Sequence, residues 1–211
     1  MSDDVDLAEL RVTFHTDNGI AAPLPEIGAA VEAAAQALDS AGLAVVQARP
    51  PGIEQASQLW SGLMTADSGA GIQALLQMYG TDEPHPWTQD LITYAQADQM
   101  TSAQFSGLLV RLDMFRSQML SFMQTRDVIL CPVNAYPAML HGAAVEKVLY
   151  FSYTFTYNLT GWPAVVVRVG TTATGLPIGV QVVARPWRKD VALKVAHFLE
   201  KTFGGWMRPP V

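Results

Sequence analysis

The 211-residue chain is half hydrophobic, only 15% charged, and carries a formal charge of −6, a balance that excludes an intrinsically disordered chain. Its arginines are scattered and no lysine precedes Lys147, so nucleic-acid binding is not expected, because neutralising phosphates needs clustered cations. The single cysteine, Cys131, excludes an intrachain disulfide and a multi-cysteine zinc centre.

The N-terminal stretch MSDDVDLAELRV is acidic and has no apolar targeting core, which predicts a cytoplasmic protein. No run approaches the ~18 apolar residues of a membrane-spanning helix, so no membrane partner is expected. Leu10 to Phe14 reads as a strand. In PEIGAAVEAAAQALDSAG, Pro25 suits a helix start, Ile27, Val31, Ala34 and Leu38 recur at helical spacing, and Gly42 is placed to stop the helix. Ala44 to Ala48 is a second strand, which makes a β-α-β unit with parallel strands.

Residues 54–79 read as helix, and GTDEPHPW, Gly80 to Trp87, as a break with two prolines. The next helix carries a stripe of Phe105, Leu108, Leu112, Phe115, Met119 and Phe122 for packing, with Arg111, Arg116 and Gln118 directed elsewhere. Asp127 to Cys131 is an apolar strand stopped by Pro132 and followed by a loop. AVVVRVG from Ala164, the turn TTATGLP and IGVQVV form a β-hairpin. Asp190 is expected to cap a last helix carrying Val191, Val195, Phe198 and Leu199, ended by Gly204 and Gly205. These elements predict an α/β fold with a mixed β-sheet flanked by helices, in one domain.

Chemistry-bearing motifs are sparse. No G-x-S-x-G, S-x-x-K, H-E-x-x-H or phosphate-binding G-x-x-x-x-G-K-[ST] occurs. The nearest imitation of a nucleophile turn is Asp67-Ser68-Gly69-Ala70-Gly71, where Ser68 reads better as a small residue in close helix packing. His15, His85, His141 and His197 have no metal-ligand spacing and read as surface or loop histidines. Cys131 reads as a buried or pocket-lining residue rather than a catalytic thiol.

Two motifs, Asn158-Leu159-Thr160-Gly161-Trp162-Pro163-Ala164 and Gly175-Leu176-Pro177-Ile178-Gly179-Val180-Gln181, closely resemble the C-terminal block of the amidase signature family. Residues 10–51 look like the β-α-β that follows the catalytic region there, and DVILCPVNAYPA like its strand and loop facing the pocket. The resemblance implies the C-terminal part of an amidase-signature fold, residues 1–211 being one incomplete domain. It implies carboxamide hydrolysis through a Ser, cis-Ser, Lys triad without a cofactor or metal. No Gly-Gly-Ser-Ser-Gly segment is present, so no catalytic residue is expected in this chain, and a small amide would bind only if the N-terminal half completed the site.

The same resemblance makes Cys131, Asn134, Tyr136, Tyr157, Asn158 and Trp162 substrate-pocket candidates, Trp162 being the one best explained by packing. It makes Gly161, Pro163, Gly175, Pro177, Gly179 and Gln181 structural. Family members commonly have Pro at Arg168 and Gly at Ala184. An alternative is a non-catalytic binding or structural subunit that completes a site on a separate polypeptide. A cut core would leave apolar surface bare, which predicts self-association.

Overall fold

The computed structural model describes residues 5–97 and 99–208. Five strands form one mixed sheet: β1 (Arg11–Phe14), β2 (Ala44–Gln47), β3 (Val128–Pro132), β4 (Ala164–Thr171) and β5 (Pro177–Ala184), in the order β2-β1-β3-β5-β4. β1 runs parallel to both neighbours, with Val12 opposite Val45 and Val128. β5 is antiparallel to β3 and β4, pairing Cys131 and Val166 with Gln181.

Strand alternation sorts side chains to two faces. Val12, Val128, Leu130, Val167, Val169, Val180 and Val182 pack against helices α1 (Pro25–Ser40) and α7 (Lys189–Thr202) in one core. Ile129, Cys131 and Val183 point the other way, into a core shared with α2 (Ala56–Thr65), α5 (Ser102–Phe122) and α6 (Ser152–Thr160). Gly179 lies on this second face. A Cβ there would meet Val166 Cγ1 at 2.8 Å and Val133 Cγ2 at 3.4 Å, so its lack of a side chain lets the two valines close over the sheet.

The β-α-β unit, the hairpin and the last helix form as expected, and Gly42 stops α1 with a φ of +93°. The α5 stripe buries Leu108, Leu112, Phe115 and Met119, while Phe105 at its start remains 38% exposed. Its N-terminus has a capping box between Thr101 and Gln104.

Other readings need correction. Residues 54–79 are not one helix: α2 ends at Thr65 and α3 spans Ala70–Met78. Between them Ser68 (φ +56°) and Gly69 (φ +78°) turn left-handed, and the Asp67 carboxylate accepts from the Gly69 and Gly71 amides at 2.9 and 2.8 Å. Ser68 therefore sits in a helix junction, outside either helix. The proline break ends early, because Pro86 starts α4 (Pro86–Ala97). Asp190 is not the cap of α7; Arg188 occupies that position, and Asp190, one residue inside the helix, accepts from its guanidinium at 3.1 Å. Asp127 precedes β3 and bonds Arg11 and Arg185, an ion-pair clip across β1, β3 and β5.

Candidate functional site

β3 and β5 place Cys131 beside Gln181, and α6 lays Tyr157 over both. The Gln181 amide donates to Cys131 Sγ at 3.4 Å, Pro132 O at 3.5 Å and Tyr153 O at 3.4 Å. The Cys131 thiol lies 3.6 Å from the Tyr157 hydroxyl. Gln181, Cys131 and Tyr157 are all buried, so this polar seam persists because its members satisfy one another. Nearby, Tyr153 donates to Ala21 O at 2.7 Å, and the Asn18 amide donates to Ser152 Oγ at 2.9 Å. These contacts tie α6 to the loop after β1.

Burial pushes the Cys131 thiol up to about 11, outweighing its contacts with Tyr157 and Gln181, and burial also raises Tyr157 well above the ordinary phenol. A protonated, enclosed thiol is a poor nucleophile. Cys131 is therefore expected to react with a disulfide reagent about 100-fold more slowly in the native protein than in urea. Equal rates in the two states would show that the enclosure is wrong.

The corner before β4 also has a definite cause. Gly161 ends α6 with φ +69° and donates to Tyr157 O at 2.9 Å. Nothing lies within 4 Å of its would-be Cβ, so the left-handed backbone, rather than close approach, requires glycine. Pro163 then leads into β4, its carbonyl accepting from the Ala184 amide at 3.1 Å. Gly175 (φ +89°) turns the hairpin, with Pro177 opening β5.

The pocket candidates separate. Cys131 and Tyr157 come together, joined by Gln181, which was read as structural. Asn134 lies on the loop after β3 with its Oδ1 buried and unpartnered. Tyr136 on the same loop stacks on Tyr150 at 4.4 Å, with Lys147 Nζ 5.9 Å from each ring. Trp162 is buried in packing. Asn158 is exposed on α6, away from the seam.

Two features escaped the sequence reading. His15, read as a surface or loop histidine, is 4% exposed; its Nδ1 bonds the Asp17 carbonyl at 3.0 Å and its buried Nε2 has no partner. The second is an apolar groove of about 520 Å³ between α2, α4, α6 and the turn before α6, lined by Trp60, Trp87, Leu91, Tyr94, Leu149 and Phe155. Trp60 and Phe155 stack at 4.3 Å to form one wall, and Ser61 meets the Tyr94 hydroxyl at 3.4 Å on the rim. Trp60 and Trp87 were visible signals, but nothing local in the sequence brings α2 and α4 together. Among the described residues no His, Cys, Asp and Glu cluster could hold a metal ion, and no helix is long and apolar enough to cross a membrane.

Comparison with known proteins places this geometry. The family described as Amidase matches residues 4–193. The chain belongs to the amidase family. It is 27% identical over 209 residues to an acylamidase of Rhodococcus erythropolis, covering 92% of this chain and 43% of that protein. Over 94 residues it is 36% identical to human fatty-acid amide hydrolase 2, covering 44% of this chain and 18% of that protein. A structure of 6-aminohexanoate cyclic dimer hydrolase complexed with substrate shares the fold, with a TM-score of 0.80 at 24% identity over 96% of this chain and 47% of that one. The chain thus spans less than half the length of these relatives.

Proposed function

We propose that this amidase-family chain supplies the C-terminal half of a C–N hydrolase acting on carboxamides, and that it does not hydrolyse amides alone. The observation that carries the reading is the placement of its lysines relative to the seam. An amidase-type triad needs a neutral lysine beside a serine relay. Lys147 lies over the Tyr136 and Tyr150 rings. Lys189, Lys194 and Lys201 ride on α7, which packs on the sheet face opposite Cys131 and Gln181.

The groove at α2 and α4 carries Ser57 and Ser61 in its lining, with no lysine among the lining residues to act as their base. A concave surface of aromatic side chains with a few polar groups at its rim suits the apolar part of an amide. The relatives named as acylamidase and fatty-acid amide hydrolase support that substrate class. Incubation with a fluorophosphonate probe tests the reading: no serine of the purified chain should be labelled, and a labelled serine overturns it.

The second reading, a non-catalytic subunit completing a site carried by another polypeptide, is favoured by the same lack of a placed base. It predicts that a separate serine- and lysine-bearing polypeptide co-purifies with the chain and restores probe labelling on that polypeptide.

A further inference from the structure

The groove between α2 and α4 is built from two helical rows. On α4, Trp87, Asp90, Leu91 and Tyr94 stand at i, i+3, i+4 and i+7, along one face of the helix. On α2, Ser57, Trp60 and Ser61 stand at i, i+3 and i+4 and line the same space. A different side holds α4 in place: Ile92 and Ala95 are buried, and the Ile92 backbone runs so close to the α2–α3 junction that a Cβ on Gly69 would meet its Cα at 3.4 Å. Gln89, Thr93 and Gln96 take the remaining, exposed face. The groove row is therefore neither core nor ordinary surface.

Asp90 is the odd member of that row. A carboxylate serving only solubility belongs with Gln89, Thr93 and Gln96, yet this one sits about one turn from both Trp87 and Tyr94 on the aromatic side. The ion pairs among the described residues use other acids, and no Lys, Arg or His shares the groove lining. Lys147, which precedes the lining residues Val148 and Leu149, holds its Nζ 5.9 Å from the Tyr136 and Tyr150 rings instead. The result is an aromatic enclosure with one uncompensated negative charge.

Those two features select the occupant. Any molecule that fills the groove takes water from Asp90, and a carboxylate that loses water without gaining a partner is strongly disfavoured. A wholly neutral ligand leaves that cost standing. An organic cation removes it and gains the attraction of a positive charge for aromatic faces, which Trp87 (45% exposed) and Tyr94 (60% exposed) leave open. The stacked pair Trp60 and Phe155 supplies an apolar wall for the rest of the molecule, and about 520 Å³ bounded by α2, α4 and α6 suits one small ligand. We infer that this groove binds an organic ammonium ion, its apolar body against Trp60 and Phe155 and its charged head among Trp87, Tyr94 and Asp90. The substrate would then be a carboxamide carrying an ammonium group away from the bond that is cut; that extension rests on the proposed function, whereas cation binding does not.

Nuclear magnetic resonance of the indole N–H groups tests the assignment. The purified chain is titrated with phenyltrimethylammonium and with tert-butylbenzene, its uncharged isostere. The cation should shift Trp60 and Trp87 saturably, leave Trp162, Trp187 and Trp206 unmoved, and bind at least about tenfold more tightly than the isostere. Asp90→Asn, an exposed and isosteric change, should weaken the cation about fivefold and spare the isostere. Asp82→Asn, at an acid outside the groove lining, should alter neither. Equal affinities for the two probes, equal effects of the two variants, shifts at the other indoles, or a co-purifying polypeptide whose lysine or arginine fills the groove would each overturn the assignment. A serine labelled by fluorophosphonate would sink the proposed function and leave this titration untouched.

Discussion

Acidification from pH 6.5 to pH 4 is expected to remove about 3 kcal/mol of folding stability through His15 alone. Burial pushes this imidazole from 6.5 down to about 4, and the Arg49 cation adds to the effect. The Asp17 carbonyl and carboxylate oppose it without reversing it. The unfolded chain therefore takes up a proton near pH 6.5 that the folded chain refuses until about pH 4. Stability is full above the first value, declines between the two, and levels off below the second.

His15→Asn keeps a donor for the Asp17 carbonyl and removes the titration. Urea unfolding of this variant should show a flat profile across the window in which the wild type declines. An equal slope in both would contradict the assignment. Asp127 acts in a lower window: its contacts with Arg11 and Arg185 overcome burial and hold its carboxyl below 3.8, so its contribution is lost only as pH falls beneath that value.

His15 also shows where the sequence is silent. HTDNG after a short strand has the composition of a surface turn, yet Tyr153 and Ser152 of α6 close over it from more than 130 residues away. The β-α-β unit, the hairpin and α7 were legible because local periodicity and punctuation by Pro25, Gly42 and Gly175 coincide with the tertiary outcome. The α2–α3 break was masked by alanine, which continues a helical pattern where Asp67 and Gly69 end it. α6 was missed because SYTFTYNLT is rich in β-branched and aromatic residues; burial of Tyr153, Phe155, Thr156, Tyr157 and Leu159 overrides that propensity. At the site, Cys131 and Gln181 were both noted in the sequence, but their adjacency follows from the β3–β5 register.

Replacing Gln181 by Glu is expected to destabilise the chain by about 2 to 4 kcal/mol at pH 7. Gln181 is 3% exposed and its amide is the shared donor to one sulfur and two carbonyls. An ionised carboxylate there strands those acceptors and buries a charge without a partner. Gln181→Met strands the acceptors but adds no charge, so its loss should be smaller, about 1 to 2 kcal/mol. Urea midpoints at pH 7 and pH 5 separate the two terms: the Glu variant should recover toward the Met variant at the lower pH as its carboxyl becomes neutral. If Glu and Met cost the same at pH 7, Gln181 is not a buried donor and the seam over Cys131 is misdescribed.

The proposed function assigns to this chain the walls of an amide-cleaving site without the group that attacks the carbonyl. Its most direct test is ammonia release from a series of primary carboxamides, short and long in the acyl chain, by the purified chain with no second polypeptide. The predicted result is no release above the buffer rate for any of them. Turnover of about 1 s⁻¹ or faster that co-elutes with the chain and tracks its concentration would contradict the account.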